Sequence, residues 1–165
     1  MALSISFDLR WDGRVENSMG NWAREVLAQL SRREAADIQS TKLQLHRAEI
    51  KRAKGMALFA KLSKDAEEGV KILSQHVKEL TFTSISDEAF RVATPHQSVE
   101  VAFIQPGLIH FKQNLGPSTV QGQFDIEVDV SDGISLVYQG RMLGGRTDEV
   151  LRIAINPLFG LPIKD

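Results

Sequence analysis

The feature that most constrains the fold is a long stretch without proline, from Trp22 to Leu80. It consists mainly of Ala, Leu, Lys, Arg, Glu and Gln, which are good helix formers. A single unbroken helix of this length would extend about 90 Å, which is much longer than a domain of this size is wide. We therefore predict that the stretch folds into an antiparallel helical hairpin, with its bend near Ser40-Thr41 or Gly55.

The C-terminal part of this stretch has the clearest periodicity. Apolar residues recur there at steps of three or four and form one stripe along a helix. The stripe consists of Phe59, Leu62, Ala66, Val70, Leu73, Val77 and Leu80. We expect it to cover the chain's own sheet, and pairing with a partner helix is the alternative. The candidates for an interaction face are Phe59, Leu62, Val70, Leu73 and Val77.

Alternating patterns on both sides of the helical stretch predict strands. Leu3, Ile5, Phe7 and Leu9 alternate with polar residues, which is typical of a short, half-buried strand. Apolar residues also alternate with polar ones through much of the segment 81–165. These patterns predict an N-terminal strand before the helices and an antiparallel sheet after them.

Turn residues divide the second half of the chain into hairpins. Pro106-Gly107 predicts a type II turn between two alternating runs, and Asp132-Gly133 predicts the turn of a second hairpin. The segment 151–155 alternates as Leu, Ile and Ile and predicts a last strand, which Pro157 would end. The predicted fold is α+β, with an N-terminal strand, a long helical hairpin and an antiparallel sheet covered by helix on one face.

Length and composition favour a single domain. The chain has 165 residues, so we predict one α+β domain over 1–165, mainly helical in 16–80 and mainly β in 81–165. It contains no cysteine, which excludes disulfides, thiolate metal sites and a cysteine nucleophile. No apolar run approaches the roughly 18 residues needed to cross a bilayer. We expect a cytoplasmic protein without a membrane partner.

A basic stretch is the candidate site for an anion. Between residues 43 and 64 the basic side chains far outnumber the acidic ones, and Arg47, Lys51 and Lys54 share one helical face. A solvated helix surface is the favoured interpretation of such a run, and an anionic partner is the alternative. Because other basic residues point elsewhere, we expect at most weak, non-specific binding of nucleic acid.

Other polar patterns do not predict a catalytic or metal site. Asp125, Glu127 and Asp129 share one face of a strand, but their spacing of about 6.6 Å is too wide for all three to hold one ion. The segment 140–147 resembles a phosphate-binding loop but has arginine in place of lysine and no predicted helix after it. The four histidines do not show metal-ligand spacing. We therefore predict no metal and no cofactor.

The sequence favours a non-catalytic interaction or assembly protein. The apolar stripe, together with Trp22, Val26 and Leu30, exceeds what one small sheet can cover, so we expect self-association of the helical half as a dimer or binding to another protein. The first alternative is a small-molecule-binding protein or enzyme with a pocket between helices and sheet. The second alternative is a weak nucleic-acid binder. No catalytic motif supports an enzyme.

Overall fold

The computed structural model describes residues 13–161, with side chains described for 20–161. The chain divides into two units, Met1–Gln44 and Leu45–Asp165. The single domain predicted from the length stays a prediction. The N-terminal strand predicted at Leu3–Leu9 lies outside the described residues.

The first element is one long helix, α1, over Gly13–Leu73. The predicted helical hairpin is therefore wrong. At one expected bend, the Thr41 side-chain oxygen donates to the Asp37 carbonyl oxygen at 2.9 Å, so the hydroxyl is satisfied inside the helix. At the other expected bend, Gly55 lies within the helix, and its lack of a side chain allows the helix to pack closely against the sheet.

Seven strands and a second helix follow α1. They are β1 (Thr81–Ser86), β2 (Ala89–Ala93), β3 (Gln97–Ile104), β4 (Leu108–Leu115), β5 (Ser118–Val128), β6 (Ile134–Tyr138), β7 (Arg141–Gly144) and α2 (Thr147–Ile155), with a 3-10 turn at Asn156–Phe159. The strands form one antiparallel sheet in chain order, from β1 at one edge to β7 at the other. The α+β class and the antiparallel sheet are confirmed.

Both predicted hairpins are present, as β3–β4 and β5–β6. The type II turn is wrong, because it requires a positive φ at Gly107 and that residue is not among the glycines with positive φ. The last predicted strand is also wrong. The segment is helical in α2, and Val150, Ile153 and Ala154 are buried at helical spacing. The alternation of Leu151, Ile153 and Ile155 therefore does not indicate a strand.

The core of the second unit lies between one face of the sheet and the helices. Phe59 of α1 packs against Phe90 and Phe103, with ring centroids 5.7 Å and 6.2 Å apart. Gly55 allows the helix to approach the sheet, because a Cβ there would lie 2.8 Å from the Phe103 ring and 2.9 Å from the Ile126 side chain. The predicted stripe ran along one helix from Phe59 to Leu80, and its part from Phe59 to Val70 covers the chain's own sheet, as expected. The helix ends at Leu73, so the prediction that Val77 and Leu80 continue the helical stripe is wrong.

Candidate functional site

The candidate site is an exposed side of α1 in the first unit. Leu30, Arg33, Glu34, Asp37 and Ile38 line a shallow, open surface there, which we call the Leu30 surface. They lie on one side of the helix because residues three, four, seven and eight apart are neighbours on its surface. The Leu30 surface therefore combines two aliphatic side chains with one base and two acids.

Apolar exposure distinguishes this part of the helix. Leu30 is 54% exposed and Ile38 is 51% exposed, and in the preceding turns Trp22 is 67% and Leu27 is 63% exposed. Val26 is half-buried. Trp22, Val26 and Leu30 belong to the set from which the sequence predicted self-association, whereas Leu27 and Ile38 were missed. The step of eight residues from Leu30 to Ile38 was a signal that could have found the latter.

The predicted interaction face lies elsewhere and is mostly buried. Phe59, Leu62 and Val70 are 1%, 1% and 6% exposed and belong to the chain's own core. Val77 is partly buried against that core, and Leu73 is 39% exposed. The first three side chains therefore stabilise the second unit and are not available to a partner.

Two of the three anion-site candidates hold turns of the sheet. The Lys54 ammonium group donates to the Asp132 carbonyl oxygen in the β5–β6 turn. The Lys51 stem packs against Gly107 in the β3–β4 turn, where an added Cβ would lie 2.8 Å from the Lys51 Cβ. Arg47 is exposed. The three side chains therefore do not converge on one anion-binding position, since two have structural contacts.

The β5–β6 turn is organised by its own acids. Asp129 Oδ1 accepts hydrogen bonds from the Ser131 hydroxyl and backbone N–H at 2.7 Å and from the Gly133 N–H at 2.8 Å. The Ser131 hydroxyl, followed by the Gly133 and Ser131 N–H groups, lowers the pKa of the Asp129 carboxyl. His46 lies 3.3 Å from the Asp132 carboxylate. The Asp129 carboxylate therefore stabilises the β5–β6 turn through local hydrogen bonds.

The outer-face interpretation of the acidic row is confirmed in part. Asp125 and Glu127 of β5 are exposed, as predicted. Asp129 is also exposed, but it lies beyond the end of β5 and caps the turn. Among the residues that the structure describes, no group of three or more His, Asp or Glu side chains could hold a metal ion.

The glycine-rich segment is not a phosphate loop, although a helix does follow it. Arg141–Gly144 forms strand β7, so the middle of the segment is extended and paired with β6. At the start of α2, the Thr147 hydroxyl donates to Asp65 Oδ2 at 2.5 Å. A carboxylate from α1 thus lies beside the N-terminus of α2, next to the position that a bound phosphate would need.

No protein-family model, curated protein or solved structure matches this chain. Within the part of the chain that the structure describes, no helix is long and apolar enough to span a membrane. The surface chemistry of the described residues is therefore the basis for a functional proposal.

Proposed function

We propose that this protein is a non-catalytic assembly protein that self-associates through the Leu30 surface of α1. The observation that carries the proposal is the exposure of Trp22, Leu27, Leu30 and Ile38 on one helical segment. A cytoplasmic location is part of the proposal, because a chain without cysteine suits a reducing compartment.

An exposed helix of this kind lacks its usual source of stability. Most helical stability in proteins comes from packing of an apolar face rather than from intrinsic propensity. Nearly all side chains from Asn21 to Gln44 are exposed. Burial of the aliphatic and aromatic groups by a partner would contribute about 1.5–3 kcal/mol for each fully covered side chain. We therefore expect this surface to bind a partner.

The charges of the segment favour a second copy of the chain as the partner. Residues 20–44 contain four basic side chains (Arg24, Arg32, Arg33 and Lys42) and three acidic ones (Glu25, Glu34 and Asp37). A segment so close to neutral needs neither a strongly acidic nor a strongly basic partner. Opposite charges on the same surface allow it to complement itself, and a two-fold dimer is the commonest result.

An antiparallel arrangement of two copies fits this surface best. A parallel, in-register pair would place Glu34 opposite Glu34 and Asp37 opposite Asp37, and such like-charge contacts are unfavourable. An antiparallel pair centred near Glu34 retains the Glu34 contact at the two-fold axis but separates the two Asp37 side chains, and it brings Leu30 beside Ile38 of the second copy. The same register brings Arg33 close to Asp37 of the second copy.

The proposal is tested with Leu30→Asp, measured by sedimentation equilibrium across micromolar concentrations. The wild-type chain is expected to show a dimer mass. The variant is expected to weaken the dimer at least about 100-fold, because a loss of about 3 kcal/mol corresponds to two decades in Kd. Since Leu30 is 54% exposed, the variant should unfold at nearly the same denaturant concentration as the wild type when both are monomeric.

Leu43→Asp is the matched control. Leu43 is also exposed, at 49%, but it lies 13 residues after Leu30 and thus on nearly the opposite side of the helix. This variant should retain the dimer. A monomeric wild-type chain, or equal weakening by both variants, would reject the proposal.

A further inference from the structure

The β5–β6 turn contains an aspartate followed directly by a glycine, Asp132-Gly133. In such a pair the backbone nitrogen of the glycine can attack the side-chain carboxyl of the aspartate, because glycine has no side chain to hinder the approach. The Asp132 side chain is 51% exposed, so water reaches the reacting atoms. The pair is therefore a candidate for a spontaneous covalent change.

The reaction isomerises the aspartate and leaves the mass of the chain unchanged. The glycine nitrogen forms a bond to the aspartate Cγ, the Cγ–O bond of the protonated carboxyl breaks, and the amide proton leaves with the hydroxyl group as water. Water then adds to one carbonyl of the cyclic imide. Cleavage between the nitrogen and the main-chain carbonyl carbon gives isoaspartate, in which the chain continues through Cγ, whereas cleavage at Cγ restores aspartate.

Both polar atoms of the peptide group between Asp132 and Gly133 are engaged in the folded turn. The Gly133 N–H donates to Asp129 Oδ1 at 2.8 Å, and the Asp132 carbonyl oxygen accepts a hydrogen bond from the Lys54 ammonium group. The other reactant, the Asp132 carboxylate, lies 3.3 Å from His46. Attack requires the nitrogen to lose its proton and to come within bonding distance of Asp132 Cγ. The bond to Asp129 must therefore open first.

The Asp129 carboxylate holds the Gly133 proton and does not activate the nitrogen. The Ser131 hydroxyl, followed by the Gly133 and Ser131 N–H groups, lowers the pKa of the Asp129 carboxyl, so it is a weak base. Its negative charge also disfavours a deprotonated nitrogen at this distance. The charge of Lys54 has the opposite effect, but Lys54 contacts the carbonyl oxygen rather than the reacting nitrogen. The net effect of these contacts is restraint.

The turn needs glycine at this position despite the reactivity of the pair. A Cβ added at Gly133 would overlap Asp129 Oδ2. A larger residue would therefore displace the carboxylate that accepts from the Gly133 N–H. Asp132 has a φ of 60°, a conformation that aspartate adopts more readily than most residues. The same backbone geometry thus requires the reactive pair and provides its restraint.

We propose that Asp132-Gly133 is a site of spontaneous isoaspartate formation and that the Asp129 carboxylate restrains this reaction in the folded protein. The reactive state is a locally open turn, so isoaspartate at position 132 accumulates in proportion to how often the turn opens. The inference goes beyond the proposed function, since it concerns a covalent change in the second unit and does not involve the Leu30 surface.

Peptide mapping of the full-length chain tests the inference. The chain is incubated at neutral pH, and chromatography with electron-transfer fragmentation identifies isoaspartate in the peptide that contains Asp132. The peptide with the other Asp–Gly pair, Asp12-Gly13, is analysed separately. The Asp132 peptide is expected to isomerise roughly tenfold or more slowly in the folded chain than in the chain unfolded in urea, because the turn must open first. Equal rates, or no isoaspartate at position 132 in urea, would overturn the proposal.

A pair of variants tests the role of Asp129. Asp129→Ala removes the acceptor of the Gly133 N–H and is expected to raise the isomerisation rate of Asp132 roughly tenfold under folding conditions. Asp125→Ala is the matched control, because it removes the same charge from an exposed position on β5, and it should leave the rate unchanged. Circular dichroism checks that both variants are folded, and the wild-type comparison with urea does not depend on either of them. An unchanged rate in folded Asp129→Ala, or equal acceleration by both variants, would contradict the proposal.

Discussion

The two ends of α1 have the same backbone conformation and opposite surroundings. From Phe59 to Val70 an uninterrupted apolar stripe is buried under the sheet. From Trp22 to Ile38 the large apolar residues other than Val26 are exposed, and charged residues interrupt them at Arg33, Glu34 and Asp37. Helix propensity does not distinguish these two parts, because both consist of good helix formers. The apolar stripe is continuous in the buried part and interrupted in the exposed part.

The largest expected effect comes from truncating the buried stripe. Phe59→Ala should lower the free energy of unfolding by about 3–5 kcal/mol, because the ring is 1% exposed and its loss leaves a cavity against Phe90 and Phe103. Chemical denaturation measures the change.

Leu43→Ala provides the comparison in the exposed part of the helix. Its side chain is 49% exposed and lies away from the Leu30 surface, so the expected change is within about 0.5 kcal/mol. If the two variants lost similar stability, the contrast between the two ends of α1 would be wrong.

A smaller effect is expected from filling the space at Gly55. Alanine normally stabilises a helix by about 1 kcal/mol relative to glycine. At Gly55, however, the new methyl group would lie 2.8 Å from the Phe103 ring and 2.9 Å from Ile126, both of which are buried. Overpacking costs about 1–3 kcal/mol, so after the gain in helix propensity Gly55→Ala should destabilise the protein by up to about 2 kcal/mol. Thermal or denaturant unfolding is the measurement.

Gly69→Ala is the matched substitution in the same helix. No atom outside its immediate surroundings lies within 4 Å of the added Cβ, so only the helix propensity changes. A gain of about 0.5–1 kcal/mol is expected. A gain at Gly55 equal to that at Gly69 would mean that the helix is not closely packed on the sheet at that point.

Local chemistry explains which parts of the fold the sequence predicts. The β3–β4 and β5–β6 hairpins follow from alternation and turn residues that act over a few positions. The helical hairpin failed because Thr41 is satisfied within the helix and Gly55 serves packing. The Thr41 bond is a local alternative to capping, whereas the role of Gly55 is visible only from its tertiary contacts with Phe103 and Ile126. The sequence predicted a strand where α2 lies, although the spacing of Val150, Ile153 and Ala154 is typical of a helix.

The candidate site was predictable only in part. The sequence identifies Trp22, Val26 and Leu30 as apolar residues on helical spacing. It does not show whether such residues are covered by the chain's own sheet, because burial depends on where the helix meets the sheet. For the same reason, the sequence could not show that Lys51 and Lys54 contact turns of the sheet.

The smallest expected effect concerns nucleic acid. Because Lys54 and Lys51 contact the sheet turns and only Arg47 of the three candidates is exposed without such a contact, duplex DNA or RNA should bind only in the non-specific range of roughly 10⁻⁴ to 10⁻⁶ M at physiological salt. Arg47→Ala should reduce the salt dependence by at most about one counterion, and Lys61→Ala is the control at another exposed base of α1. Fluorescence anisotropy at two salt concentrations measures both, and nanomolar, sequence-dependent binding would replace self-assembly with nucleic-acid recognition.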